Sequence, residues 1–477
     1  MAQVQRIIPI VASAALAGGI APAERIQPRA VSGVFTRGRW ALVWLTQALF
    51  YGLPWLNWGG RQAVWFDLDG RRFYVFGTVL FPQDLILLTG VLIFSALLLF
   101  VATALVGRVW CGFACPQTVY TEMFMWIEQR CEGDRRARLR LDGAPWGAGK
   151  LLRRGGKHLA WGALALLTGF TLVGWFTPVR ELAQTVPTLA FGPWEAFWIV
   201  FYGAATYLHA GVLREKVCQH ACPYGRFQAS MLDPSTRVIA YDEARGEPRG
   251  ARARGVDARH VGQGDCVDCT LCVQVCPVGI DIRQGLQAAC ISCGLCIDAC
   301  NQVMDKLQSP RGLIRFRPLA AGAGTARWRR PRVAVYALGL LVVGGALAWG
   351  WAERPELRLN VLRDRSVLAR LSEDGAIENV YRLQLMNATL QPRRLLVSAS
   401  AEGAAVRPVA IERGHAIEVA PAATAMTVLT LRMAAPTAQQ QQQPGGALRM
   451  IPIRFEVRDA AGGQPLKAWS TSTFALR

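Results

Sequence analysis

Cysteine occurs as Cys266-Val-Asp-Cys269-Thr-Leu-Cys272-Val-Gln-Val-Cys276-Pro277, and again as Cys290-Ile-Ser-Cys293-Gly-Leu-Cys296-Ile-Asp-Ala-Cys300. Eight thiols in two copies of C-x2-C-x2-C-x3-C leave the chain few ways to fold locally. Three closely spaced cysteines on a tight loop can wrap three corners of an iron–sulfur cubane, while the fourth faces away and reaches a neighbouring one. The spacing therefore predicts two 4Fe–4S clusters with exchanged ligands. Cys266, Cys269, Cys272 and Cys300 hold the first; Cys290, Cys293, Cys296 and Cys276 hold the second. Pro277 ends the first run and Asn301 replaces it in the second, which weakens a turn there without touching the ligands. Zinc sites use fewer cysteines at looser spacing, and a reducing compartment disfavours disulfides. No Gly-x-Gly-x-x-Gly follows a strand, so flavin and nicotinamide sites are not indicated and electrons come from an unidentified donor outside the chain.

The second constraint is hydropathy. Five stretches have the ~20 apolar residues that a helix needs to cross a bilayer: Trp40–Trp58, Asp84–Val106, His158–Phe176, Trp194–Leu213 and Val333–Ala352. The 53 basic against 33 acidic residues give a net charge of +20, which alone fits nucleic acid, anionic lipid or a loop bias. Position decides. Lys and Arg number 5 before the first stretch, then 3, 10, 1 and 18 in the successive connections. The heavy segments alternate, placing the N-terminus and the cysteine runs in the cytoplasm and the C-terminus outside. Nucleic acid is not an expected partner. Ile7–Ala23 resembles a signal peptide, but cleavage there would invert every loop against the charge bias, so it is read as an apolar tail. Arg245–Arg259 reads as a solvated basic lead into the cluster region, lying against anionic lipid.

Two further pairs close the second and fourth stretches: Cys111-Gly-Phe-Ala-Cys115-Pro116 and Cys218-Gln-His-Ala-Cys222-Pro223. A spacing of four puts both sulfurs of a pair on one helix face, and proline breaks the helix beyond them. Four thiols at the cytoplasmic membrane edge would suit Cu(I) or a redox-active dithiol. Arg108, Arg214 and Lys216 are expected to favour their thiolate forms. His209 lies inside the fourth stretch, His220 between Cys218 and Cys222 is a further copper-ligand candidate, and Cys131 reads as an ordinary thiol. Packing cysteines are the alternative for any single pair; repetition of C-x3-C-P at equivalent helix ends argues for function.

Beyond Gly350 cysteine disappears and short alternating stretches such as Tyr381–Met386 and Ile451–Val457 predict a β-sandwich. Met386, Met426, Met433 and Met450 are expected in its core, and Gln439–Gln443 in a low-complexity loop. The whole reads as a multi-domain membrane protein: an α-helical transmembrane bundle with an inserted ferredoxin-like domain and a C-terminal sandwich. Its parts are a cytoplasmic tail (1–39), four spans (40–213), a ferredoxin-like domain (214–332), a fifth span (333–352) and an outer domain (353–477).

In these motifs the chain resembles the CcoG/FixG/RdxA family of cytochrome oxidase accessory proteins. The resemblance rests on Trp58–Asp67, Trp110–Gln117, Cys218–Gly225 and Asp265–Arg315, the last including Val303-Met-Asp-Lys and Pro310-Arg-Gly-Leu-Ile-Arg315. It implies a polyferredoxin of the bacterial inner membrane with an outer immunoglobulin-like domain. It further implies reduction of Cu(II) to Cu(I) for assembly of cbb3-type cytochrome c oxidase. Its partners would then be oxidase assembly factors or copper carriers, with a homo-oligomer left open. Cys111, Cys115, Cys218 and Cys222 become the candidate catalytic and copper-binding residues. The C-x3-C-P element is also similar to that of membrane ferredoxins serving periplasmic reductases. A quinol-linked conduit and a non-enzymatic assembly scaffold therefore stay open beside the cupric reductase.

Overall fold

The computed structural model describes residues 26–252, 256, 260, 262–319, 330–364, 369–373, 375–401, 410–411, 416–433, 449–460 and 468–476. Ile7–Ala23, most of Gly250–Arg259 and Gln439–Gln443 lie outside the described residues. The chain divides into two compact units. One combines residues 26–56 with 89–346, the other residues 57–88 with 347–476.

In the first unit three described helices are long and apolar enough to cross a membrane, or lie partly within it: Pro82–Val106, Pro193–Leu213 and Pro331–Ala352. The other two expected spans fall short of that standard, for physical reasons. Helix Val34–Gly52 is long enough at 19 residues, but Arg37 and Arg39 in its first turns leave it too polar. Helix Ala148–Val173 is long enough, but its first turns carry Lys150, Arg153, Arg154 and Lys157. Of these, Lys157 is buried and paired inward. Lys157 Nζ lies 2.6 Å from Glu132 and 3.8 Å from Glu128, and Glu128 also accepts from Arg214 at 2.9 Å and Arg138 at 3.2 Å. Trp161, almost fully buried, covers the group, with Lys157 and Arg214 over its rings and its Nε1 donating to Phe124 O at 2.9 Å. Such a network tolerates burial because every charge has a partner.

The ferredoxin-like part follows. Its two cysteine runs carry short helices, Leu271–Gln274 and Leu295–Lys306, beside the two-stranded pair Arg237–Tyr241 and Ile314–Pro318. Where Pro277 follows the first short helix, Asn301 lets the second run on to Lys306, and its Oδ1 accepts from Gly312 N at 3.1 Å. The weakened turn expected at Asn301 is therefore a continued helix. Asp298 on that helix accepts from Thr36 N at 2.8 Å, Thr36 Oγ1 at 2.9 Å and Phe35 N at 3.3 Å. It thereby caps the N-terminus of Val34–Gly52 from more than 260 residues away.

The second unit holds two antiparallel sheets around one core. One is built on Ile377–Asn387 between Leu357–Arg363 and Thr424–Met433; the other on Arg449–Asp459 between Arg393–Ala401 and Trp469–Leu476. Alternation buries Tyr381, Leu383 and Leu385 from the first and Ile453, Phe455 and Val457 from the second. Phe455 is fully buried, with its ring 5.1 Å from that of Tyr381. Truncating it to alanine is expected to cost this unit about 3–5 kcal/mol, read as a lowered denaturation midpoint of the β signal in detergent. Met386 and Met433 lie in the core as expected, whereas Met426 is 76% and Met450 45% exposed, because each takes an outward position on its strand. The connection between the first two expected spans also joins this unit. Its strands Val64–Asp67, Arg72–Val75 and Thr78–Leu80 form a sheet, and Tyr74, Val79 and Phe81 pack on Met386 and Ala422. Asp84 pairs with Arg354, 3.3 Å away, and with Arg358.

Candidate redox site

Each cysteine run begins with two residues in the left-handed region at matching places: Asp268 and Thr270 in the first, Ser292 and Gly294 in the second. These conformations fold each C-x2-C-x2-C segment into a tight loop. Gly294 serves for two reasons, since its φ is +77° and a Cβ would lie 2.4 Å from Phe35.

The fold brings cysteines of the two runs together across the runs. Cys300 turns back to Cys266, Cys269 and Cys272, and the four line one hollow together with Tyr241 and Arg283. Burial, then the like charge of those three neighbours, pushes the Cys300 thiol up to about 12. Cys276 joins the other quartet, packing with Cys290 and Cys293. Burial and Cys293 hold its thiol at about 11 against the backbone N–H groups of Ile280, Val278 and Gly279, which donate to it. Cys290 is likewise raised to about 12 by burial. Among the described residues no three His, Cys, Asp or Glu side chains converge as ligands of a single ion. The first quartet rings a hollow instead, which fits a cubane whose irons take one thiolate each, and N–H donors to sulfur are a recognised means of tuning its potential. Cys269 is exposed, whereas Cys266, Cys272, Cys276, Cys290 and Cys293 are buried.

The C-x3-C-P motifs differ from their expected form. Cys111 lies in the short helix Val109–Phe113, but Cys115 is extended and caps the separate helix Pro116–Glu132. Cys218 lies in a π-helical turn, Val217–Ala221, and Cys222 caps helix Pro223–Met231. The members of a pair therefore occupy successive elements, not one helix face. In both, proline is the first helical residue, where its missing N–H costs nothing. The four thiols share one neighbourhood without converging as ligands of a single ion. Cys111 lies close enough to Cys115, Cys218 and Cys222 for their charges to raise its pKa.

Several contacts join the two motifs. Gln117, two residues past Cys115, donates to His209 O at 2.9 Å and Arg214 O at 3.1 Å, satisfying carbonyls where span Pro193–Leu213 unwinds through a π-helix. Cys111 Sγ donates to the buried Gln228 Oε1 at 3.1 Å, and Gln228 Nε2 donates to Thr103 Oγ1 at 3.2 Å. His209 contributes its carbonyl, not its ring, and His158 Nδ1 meets Tyr207 OH at 2.7 Å.

The thiolate expectation is corrected. Burial comes first and pushes Cys111 to about 12 and Cys218 to about 11. Arg108 opposes this at both, while Arg214 is held by Glu128. Cys111 and Cys218 are therefore held as thiols at neutral pH when no metal is bound.

Sequence reasoning missed the contact between the two cysteine sets. Cys111 packs against the core containing Cys276, Cys290 and Cys293. A Cβ on Gly112 would lie 2.6 Å from Ile291 O and 2.9 Å from both Cα and N of Cys293, so only glycine permits this approach. The signal was the glycine directly after Cys111.

Comparison with known proteins agrees with this layout. A 4Fe–4S dicluster domain model matches residues 213–318. A second, described as a 4Fe–4S binding domain, matches 88–132, and an IG-like fold found at the C-terminus of FixG matches 347–477. Protein RdxA of Cereibacter sphaeroides is 39% identical over 94% of this chain and 97% of its own length. Nitrogen fixation protein FixG of Rhizobium meliloti is 38% identical over 80% of this chain and 79% of its own. Protein RdxB of Cereibacter sphaeroides is 37% identical over 92% and 94%.

Proposed function

The chain belongs to the family of RdxA and FixG, and from that premise we propose that it is an iron–sulfur oxidoreductase of the bacterial inner membrane that reduces Cu(II) to Cu(I). The observation that carries this reading is the packing of Cys111 against the core that holds Cys276, Cys290 and Cys293. Two 4Fe–4S clusters, when bound by the crossed quartets, supply one-electron redox chemistry. The rest falls to the chain's own residues. Cys111, Cys115, Cys218 and Cys222 offer soft sulfur, which prefers Cu(I) to Cu(II) and so favours the reduced product. They lose protons and draw inward as copper binds, while Gln117 and Gln228 hold the two motifs together. Each Cu(II) takes one electron from outside the chain, supplied by a reduced iron–sulfur or flavin protein. The Cu(I) formed serves assembly of a cbb3-type oxidase, with an immunoglobulin-like β-sandwich on the outer face.

Anaerobic holoprotein, reduced and freed of reductant, should convert about two Cu(II) per chain, one for each cluster, as read by a Cu(I)-specific chelator. Clusters that stay reduced after Cu(II) is added, with no Cu(I) appearing, would overturn the reading. The buried Thr103–Gln228 pair beside Tyr224 favours a second reading, a quinol-linked conduit. Cluster reduction by quinol in copper-free protein would select it, and oxidase assembly by a clusterless chain would select the scaffold.

Sidedness follows from loop charge. Residues 57–88 and 347–476 form one unit, as two connections on one side of a membrane can. Protease added to intact spheroplasts is expected to remove Glu353–Arg477 and spare Cys266–Cys300; protection of the tail would mean one span too many or too few.

A further inference from the structure

The two cradles differ in their electrostatic surroundings. Beside the first, Arg283 is bound by carboxylates on both sides: its Nε donates to Asp281 at 2.9 Å, and its fork also reaches Asp268. Beside the second, Arg39 is paired with Glu122 at 2.8 Å, and Asp298 spends its charge on donors of the first helix. Arg108 is different. Its guanidinium donates to the carbonyls of Ala288 and, at 3.4 Å, Cys290, and among the described residues it has no carboxylate partner. It stands between the span ending at Val106 and the short helix carrying Cys111.

We propose that Arg108 orders the two cradles. It holds the cradle of Cys276, Cys290, Cys293 and Cys296 at the higher reduction potential and ties that cradle to the membrane-edge thiols. The quartet with exposed Cys269 then faces the donor, a reduced one-electron carrier protein, and the other faces the acceptor. The inference rests on the iron–sulfur reading above. Reduction adds one negative charge to a cradle, and an unneutralised cation stabilises that charge more than one shared between two carboxylates.

The test is a redox titration of the holoprotein followed by electron paramagnetic resonance, with copper absent. At fixed ambient potential, Arg108→Gln should lower the reduced-to-oxidised ratio of one cluster about tenfold, the effect of a unit charge across roughly 10 Å at an effective dielectric of about 20. Arg108→Lys should restore it, which a purely structural role of the guanidinium fork would not allow. In a Cys300→Ser background, which lacks the first cluster, the shift should persist; in a Cys276→Ser background it should vanish. Asp268→Asn provides an independent variant at an exposed, left-handed position that asparagine tolerates. It frees part of the charge of Arg283 and should raise the reduced fraction of the other cluster. Equal movement of both clusters, movement of neither, or a shift confined to the first quartet would overturn the proposal. Failure of the wild-type chain to load iron would instead overturn the iron–sulfur reading.

Discussion

Replacing Cys111 and Cys115 together by serine is expected to leave about eight irons per chain while cutting cupric reduction on the order of 100-fold or more. Serine keeps the side-chain size but exchanges a soft sulfur for a hard, neutral oxygen that Cu(I) binds poorly. Both residues lie outside the crossed quartets, on the short helix Val109–Phe113 and at the cap of Pro116–Glu132, so cluster loading should survive. Iron analysis, the cluster spectrum and copper stoichiometry on one preparation check this. Copper bound and reduced at the wild-type rate would remove the membrane-edge site and leave the quinol conduit as the better reading.

The second large effect concerns the exchange of ligands. Cys269→Ser and Cys300→Ser should each cost one cluster, about four irons, although the two residues sit in different runs. Their combination should cost no more than either alone, because both serve one cradle. With ligands taken strictly from one run each, the double variant would lose both clusters. Iron per chain distinguishes the outcomes directly, and copper should still bind in every case.

Much of this site was legible in the residues because its chemistry is local. A C-x2-C-x2-C loop can close only with certain backbone turns, and the structure places left-handed residues at Asp268, Thr270, Ser292 and Gly294. The assignment of Cys300 to the first quartet follows from the same template. The membrane-edge pairs were read less well. A spacing of four suggested one helix face, but proline favours the first position of a new helix as readily as it ends an old one. Cys115 and Cys222 accordingly became caps. The thiolate expectation failed because sequence proximity counted Arg214 as available, whereas Glu128, 86 residues away in the chain, holds it. Burial, which no motif encodes, outweighed Arg108. Residues 57–84 looked like a plain connection; the partners of Tyr74, Val79 and Phe81 stand some 300 residues on, at Met386 and Ala422. Non-local packing of that kind leaves little trace in periodicity.

The capping of Thr36 by Asp298 bears on how the chain is made. The ribosome finishes helix Val34–Gly52 long before it reaches the carboxylate that caps it, Asp298 standing 262 positions after Thr36. At about 5–20 residues per second that is a delay of roughly 13–50 s. Throughout it, the first helix waits with its leading N–H groups uncapped by that carboxylate, and Asp298 itself stands between Cys296 and Cys300, one from each quartet. Iron supply during synthesis should therefore govern when the N-terminal segment locks. In iron-starved cells newly made chains should accumulate with that segment open to protease, and restoring iron should close it without new translation.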